Sequence, residues 1–313
     1  MEHIPVLYQE VLDYLQPRPN GRYIDGTVGA GGHTAGILGA SIADGGISVS
    51  GQVLAFDRDP EAIRFAQKQL ETFGDRVHFV NASYATMGKV APKLGFAPAD
   101  GILLDLGLSS RQLADDNRGF SFMKEGPLDM RFDATQGAPA EDLINNLDAT
   151  ALADIFWRYG EERHSRRIAQ SIVDKRPFTT TTELASHIAS TVRSKRRIHP
   201  ATQVFQALRI AVNQELEEVE KGLETAVSLL KPGGRLAVIS FHSLEDRLVK
   251  QTFRSLAQDC VCPPQQPVCT CDARATVRLV SRKAIKASAV EIENNPRSRS
   301  ARLRVAEKLE ISD

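Results

Sequence analysis

Three groups of residues in this 313-residue chain have the types and spacing to do chemistry. The first is Asp25-Gly26-Thr27-Val28-Gly29-Ala30-Gly31-Gly32-His33-Thr34. Its glycines let a backbone turn tightly and approach a ligand with no Cβ in the way. The dinucleotide pattern G-x-G-x-x-G would need glycine where Thr34 stands, so a pyrophosphate ligand is not required. A turn around a compact zwitterion fits as well. Asp57 ends the apolar run Gln52–Asp57, and an acid at a strand end can accept hydrogen bonds from both ribose hydroxyls. Alone, Asp57 could merely cap the next turn. Together with the glycine turn it favours a nucleoside cofactor.

The second group lies at the ends of two further apolar runs. Asp105 closes the run that starts at Gly101 and is the best-placed acceptor at a reacting centre. It could serve the cofactor or a target base, and both readings stand. Ser109, in Gly107-Leu108-Ser109-Ser110, is a second catalytic candidate. Ser240-Phe241-His242-Ser243 follows the other run. Phe241 could stack on an extruded base and His242 could contact phosphate or base; a packed aromatic and a satisfied histidine are the plainer alternatives.

The third group holds all four cysteines, as Cys260-Val261-Cys262 and Cys269-Thr270-Cys271. Such clustering suggests a four-thiolate zinc site, although C-x-C is tighter than the usual gap of two to four residues. Free thiols are the alternative, and no metal ligand is assigned from sequence.

These groups need elements to place them. Arg22–Asp25, Gln52–Asp57, Val77–Val80 and Gly101–Leu106 read as strands. Pro60–Phe73 reads as a helix, with Asp59 as N-cap and Pro60 at the first helical position. Strands separated by helices imply a parallel sheet with right-handed crossovers. From Gly107 to Gln203 only loops and amphipathic helices are expected. The alternation then resumes: a helix over Leu216–Leu230, a turn at Lys231–Gly234, a strand over Arg235–Phe241, a helix over Leu244–Leu256, and closing strands at Thr276–Val280 and Leu303–Ala306. The expected organisation is a discontinuous α/β domain, residues 1–106 and 204–313, interrupted by a helical domain, residues 107–203.

Composition sets the class. Hydrophobic residues make up 42% and charged residues 25%, enough for an ordinary soluble core. No run of 18 uncharged apolar residues occurs, and the first residues lack the pattern of a signal peptide, so no membrane partner and a cytoplasmic location are expected. The zero net charge hides an asymmetry. Arg158–His199 carries ten Lys/Arg against four Asp/Glu, and Arg274–Arg304 carries nine against two. Two basic segments on an acidic body suggest a polyanionic partner, with solvated helix faces an equal alternative.

The segment Asp25-x-Thr27-x-Gly29-x-Gly31 resembles the first motif of class I methyltransferases, with threonine where many have glycine. Longer blocks resemble one family, ribosomal RNA small-subunit methyltransferase H, also called MraW, which methylates N4 of a cytidine in the decoding region of 16S rRNA. They include His3–Leu7, Asp57-Arg58-Asp59-Pro60, Asp100–Ser110, Arg118–Phe122, Pro127–Arg131, Tyr159–Arg163, His199–Thr202, Phe205–Arg209, Ser240–Arg247 and Asn295-Pro296-Arg297. The resemblance implies a class I Rossmann-like methyltransferase fold: a mostly parallel sheet, helices on both faces and a small inserted helical domain. It implies S-adenosyl-L-methionine as cofactor, contacted by Gly31, Gly32, His33, Asp57, Tyr84, Asp105 and Gln112. Relatives usually carry phenylalanine at position 84; tyrosine keeps the ring that would pack on adenine. It implies 16S rRNA or the small ribosomal subunit as partner, gripped by Arg163, Arg166, Arg167 and Lys195-Arg196-Arg197 of the insertion. The oligomeric state stays open, a homodimer included.

An exocyclic cytosine amine is a poor nucleophile, so its enzyme must accept hydrogen bonds from it and hold it in line with the methyl group. Amino-methyltransferases of DNA use a Pro-Pro-aromatic motif after their fourth strand. This chain has Asp105–Ser110 there and lacks the prolines, so that mechanism does not transfer directly. Two other functions compete. A non-catalytic RNA-binding factor sits poorly with the glycine turn, Asp57 and Asp105, and a nicotinamide oxidoreductase sits poorly with Thr34.

Overall fold

The structure, a computed structural model, describes residues 5–42, 50–192, 199–260, 262, 266, 268–271 and 273–310. It divides into two compact units, residues 1–107 with 216–313, and residues 108–215.

The first unit begins with α1 (Tyr8–Leu15), β1 (Arg22–Asp25), α2 (Gly32–Ala40), β2 (Gln52–Asp57), α3 (Pro60–Gln69), β3 (Val77–Asn81), α4 (Met87–Val90) and β4 (Ala99–Asp105). The second contains α5 (Ser110–Ala114), α6 (Ala140–Asn146), α7 (Ala149–Gly160), α8 (Ser165–Lys175), α9 (Thr181–Thr191) and α10 (Ala201–Asn213). The chain then runs through α11 (Glu215–Leu229), β5 (Leu230–Ser240), α12 (Ser243–Leu256), β6 (Val277–Leu279), α13 (Ala289–Asn294) and β7 (Arg302–Lys308).

The strands form one sheet in the order β3-β2-β1-β4-β5-β7-β6. The first five are parallel; β7 runs antiparallel to β5 and to β6. This is the mostly parallel Rossmann-like sheet expected from the sequence. Alternation along the strands explains the two-faced burial. Ile24, Leu54, Phe56, Ile102, Leu104, Leu236 and Val238 enter one apolar cluster, with Leu223 of α11 and Phe253 of α12. Tyr23, Val53, Ala55, Leu103, Ala237 and Ile239 enter another, with Val11 of α1 and Ile37 of α2. Strands buried on both faces read as continuous apolar runs, which is why they were legible. The strand order reverses between β1 and β4, and ligands of such sheets bind outside the carboxyl ends at that point.

Local chemistry sets the helix boundaries. Asp59 caps α3 by accepting the Glu61 N–H at 2.9 Å, with Pro60 in the first turn. The helix ends at Gln69, short of Phe73, and a 3-10 segment with Gly74 at φ 52° carries the chain into β3. Lys231–Gly234, expected as a turn, lies within the span of β5.

The second unit has its own core. Leu128, Phe156, Ile168, Ile172, Phe178, Leu184, Ile188, Val204, Phe205 and Leu208 are buried together. Its boundary falls at Glu215 instead of Gln203 because α10 buries Val204, Phe205, Ala207 and Leu208 in this cluster. Asn213 also ties α10 to this unit, accepting the Phe132 N–H at 2.8 Å and donating to the Met130 carbonyl at 2.7 Å. No described helix is long and apolar enough to cross a membrane.

Candidate active site at the carboxyl ends of the parallel strands

The last residues of β1, β2 and β4 are Asp25, Asp57 and Asp105. Each is tied to the glycine turn in a different way. Asp25 is buried; its carboxylate accepts the Thr27 N–H at 3.0 Å and the Thr34 hydroxyl at 2.6 Å. Burial pushes its pKa above the ordinary carboxylate range, against the downward pull of those hydrogen bonds. Asp57 accepts the Gly29 N–H at 2.9 Å on one oxygen and the Asp59 N–H at 2.9 Å on the other. Burial pushes it up to about 6 despite those two bonds, with the charges of Asp59 and Asp25 adding to the rise. The backbone N–H of Asp105 donates to the Thr27 hydroxyl at 2.7 Å. Thr27, where many related motifs have glycine, therefore fastens β4 to the turn.

The turn needs its glycines. Gly29 has φ 51° and Gly31 has φ 86°, a left-handed region that residues with a Cβ avoid. Gly31 caps α2 without a side chain, so the N-terminal amides of that helix keep unshared donor capacity and the positive end of its dipole. Gly32 and His33 are the first two residues of α2.

His33 is 7% exposed, and among the described residues neither ring nitrogen has a hydrogen-bond partner. Its Nε2 lies 3.6 Å from Asp105 Oδ2, and its ring stacks on Tyr8 with centroids 6.2 Å apart. Oδ1 of Asp105 is buried and likewise lacks a partner. Tyr84, just after β3, is half-buried and packs against the first apolar cluster. A Cβ on Gly26 would stand 2.9 Å from Tyr84 Cβ, and one on Gly222 would stand 2.5 Å from Tyr84 Cε2, so two glycines make room for this residue.

The chain also carries an acid at the opposite end of β4, and the contrast is informative. Asp100 accepts from Arg18 at 2.9 Å, from the Arg22 N–H at 2.9 Å and from Lys231. Burial would raise it, but those cations and the amide outweigh burial and hold it below the ordinary range. Asp100 is matched by cations. The carboxylates of Asp25 and Asp57 are held by amides and a hydroxyl instead of cations, and Asp105 Oδ1 by neither, which leaves lone pairs for a ligand.

The other expected site residues have structural duties. His242 is the N-cap of α12; its Nδ1 accepts the Glu245 N–H at 3.4 Å and its Nε2 lies 3.0 Å from the buried Glu245 carboxylate. Phe241 packs against the second apolar cluster, and a Cβ on Gly107 would stand 3.4 Å from its ring. Ser109 and Gln112 belong to the second unit and form the capping box of α5: Ser109 Oγ accepts the Gln112 N–H at 3.1 Å, and Gln112 Oε1 accepts the Ser109 N–H at 3.0 Å. Ser-x-x-Gln is a capping-box spacing, so this duty was readable in advance.

Residues that sequence reasoning left without a role are Asp25, Thr27 and Arg297. Arg297 is half-buried; burial lowers its pKa and the charge of Asp105 opposes that change. Its place in the block Asn295-Pro296-Arg297 was visible, its proximity to Asp105 was not.

A family model described as "MraW methylase family" matches residues 1–309. The chain belongs to this family. "Ribosomal RNA small subunit methyltransferase H" of Thermomicrobium roseum is 54% identical over 311 residues, covering 98% of this chain and 94% of the relative. The protein of the same name from Dehalococcoides mccartyi is 51% identical over 308 residues, covering 98% and 86%. Among solved structures, an rRNA methylase from Streptococcus thermophilus is 11% identical with a TM-score of 0.43, covering 97% of this chain and 94% of its own.

Asp57 and the first turn of α2 offer a carboxylate and a positive helix end. His33 and Asp105 offer unshared polar atoms.

The two basic segments differ. In the C-terminal one, Arg278 pairs with Glu307 at 2.8 Å, and Arg302 and Arg304 each reach Asp246 at 2.7 Å. In the second unit Arg163, Arg166 and Arg167 are exposed. Lys195, Arg196 and Arg197 lie outside the described residues.

Proposed function

We propose that this chain transfers a methyl group from S-adenosyl-L-methionine to N4 of a cytidine in the decoding region of 16S ribosomal RNA, in the cytoplasm, acting on the RNA or on the small subunit. The observation that carries the reading is Asp105. A buried carboxylate oxygen with no partner costs about 1–3 kcal/mol, and a fold retains such an atom where a ligand supplies the donor. The name shared by the relatives supports the small-subunit substrate.

S-adenosyl-L-methionine is the methyl donor. Asp57 takes its ribose hydroxyls, since each carboxylate oxygen keeps a lone pair beyond the amide it already accepts. The N-terminal amides of α2, at Gly32 and His33, take its carboxylate. Tyr84 supplies apolar surface to the adenine. Asp105 accepts a hydrogen bond from the target amine, which raises nitrogen electron density and aims the lone pair at the methyl carbon. As the N–C bond forms and the S–C bond breaks, positive charge moves from sulfur to nitrogen, and a carboxylate beside the amine stabilises that charge. His33, whose ring nitrogens have no hydrogen-bond partner among the described residues, can then relay the departing proton. The exposed arginines of the second unit grip phosphates, and that unit serves substrate recognition.

The test is nucleoside mass spectrometry of 16S rRNA from cells lacking the protein, with and without plasmid copies of the wild type and of Asp105→Asn. The expected result is loss of N4-methylcytidine, restored by the wild type alone. Undiminished N4-methylcytidine in the deleted strain would refute the assignment.

A further inference from the structure

The four cysteines converge. The sequence spaces them as two i, i+2 pairs, and in extended backbone an i, i+2 pair projects both side chains to the same side. Sγ of Cys269 lies 3.5 Å from that of Cys271 within one pair. Between pairs, Cys262 lies 4.0 Å from Cys269, and Cys271 lies 3.8 Å from Cys260. All four sulfurs fall within 4.8 Å of one another.

These separations discriminate among the options. A disulfide needs sulfurs at about 2.05 Å, and all four thiols here are free. A tetrahedral ion with Zn–S bonds of about 2.3 Å places its ligands about 3.8 Å apart along each edge. The three sulfur separations bracket that value. Four thiols gathered at the surface without a metal gain nothing from packing, because the cysteines are exposed or half-buried. Chemistry and geometry therefore agree.

We propose that Cys260, Cys262, Cys269 and Cys271 form a four-thiolate zinc site. Four protein ligands close the coordination sphere, which is the pattern of a structural and not a catalytic zinc. Its role follows from its place between α12 and β6. At the base of this loop the Thr276 N–H donates to the Leu256 carbonyl at 2.8 Å and the Ala275 N–H to Asp259 Oδ1 at 3.0 Å. Val268, within this loop, is 69% exposed. The ion would hold the loop closed and so fix the start of β6, the edge strand of the sheet.

Metal content by mass spectrometry of the full chain, purified without chelator or affinity metal, should give one zinc per chain. Cobalt(II) offered to the apo-protein should show the intense visible bands and thiolate charge transfer of tetrahedral sulfur coordination. Cys262→Ser and Cys271→Ser should each lose most of the metal, gain protease cleavage between residues 257 and 276, and keep S-adenosyl-L-methionine affinity within about twofold. The cobalt spectrum needs no variant, so a misfolded mutant leaves the question decidable. Metal-free wild type, iron in place of zinc, or octahedral cobalt bands would overturn the proposal.

Discussion

His33 Nε2 and Asp105 Oδ2 stand 3.6 Å apart, beyond hydrogen-bonding distance, and among the described residues no other group bonds to either ring nitrogen or to Asp105 Oδ1. A buried histidine at the first turn of α2 and a half-buried aspartate at the end of β4 thus face each other unjoined. The first prediction follows. Asp105→Asn should lower the single-turnover rate of RNA methylation by roughly two orders of magnitude, the loss typical of one electrostatic stabiliser. S-adenosyl-L-methionine affinity should change little. If affinity falls and saturating cofactor restores the rate, Asp105 holds the cofactor instead of the base.

Asp57 gives a pH dependence. Its pKa stands at about 6, above the ordinary value of 3.8, chiefly through burial. The folded state therefore binds its proton more tightly than the unfolded state. This contribution to stability is present below the unfolded pKa and is lost as pH rises through about 6. Ribose hydroxyls bond to the ionised form, so cofactor binding runs the opposite way. By calorimetry, affinity should be about tenfold weaker at pH 5 than at pH 7. Asp57→Asn should flatten this profile, and Asp57→Ala should cost roughly 1.5–3 kcal/mol of binding at pH 8. A wild-type profile flat from pH 5 to 8 would remove the ribose role.

The RNA-binding role of the second unit is tested by salt. Replacing Arg163, Arg166 and Arg167 together with alanine should weaken RNA binding and reduce the slope of log K against log salt by about 2, since each phosphate contact contributes roughly 0.7–0.9. Trp157, the only tryptophan and 58% exposed on α7, offers a fluorescence readout in the same unit. An unchanged slope would move the RNA surface elsewhere.

Asp246 is a stability prediction away from the chemistry. Burial would raise its pKa, but the hydrogen bonds from Arg304 and Arg302 outweigh burial and hold it below the ordinary range. Asp246→Ala leaves Arg304, 13% exposed, without its carboxylate. A loss of about 3 kcal/mol in urea unfolding is expected, the scale for breaking a buried pair from one side. The sign with pH is opposite to that of Asp57. This contribution is present above the unfolded pKa and disappears as pH falls through the lowered folded value.

How much of this was legible depended on the range of the interaction. The parallel strands and the N-cap at Asp59 are written in residues at most a few positions apart, and the sequence showed them. The strand-end acids were legible because a strand end is a local feature. The partners of those acids were not. That Thr27 would fasten Asp105, that Arg297 would act on Asp105 and that Asp246 would take two arginines from β7 are facts of topology, spanning 56 to 78 residues in the bonded cases. The end of the inserted unit was misplaced for a similar reason. An amphipathic helix such as α10 shows that it has an apolar face but not which core receives it. In the C-terminal basic segment, whose charge count was equally open to a polyanion and to solvent, Arg278, Arg302 and Arg304 meet Glu307 and Asp246.

The insertion between β4 and β5 also bears on the order in which the protein is made. These strands are neighbours in the sheet, yet β4 ends at Asp105 and β5 begins at Leu230. At synthesis rates of about 5–20 residues per second, β4 waits roughly 6–25 s for its partner. Throughout that wait its backbone donors and acceptors, between Gly101 and Asp105, lack the strand that will cover them. The nascent chain thus exposes a strand edge flanked by Ile102, Leu103 and Leu104, the kind of surface that recruits other strands. The intervening helices have an apolar cluster of their own and can fold meanwhile. Slow translation across residues 106–229 should lengthen the exposure and raise the aggregated fraction, while leaving the stability of the finished protein unchanged.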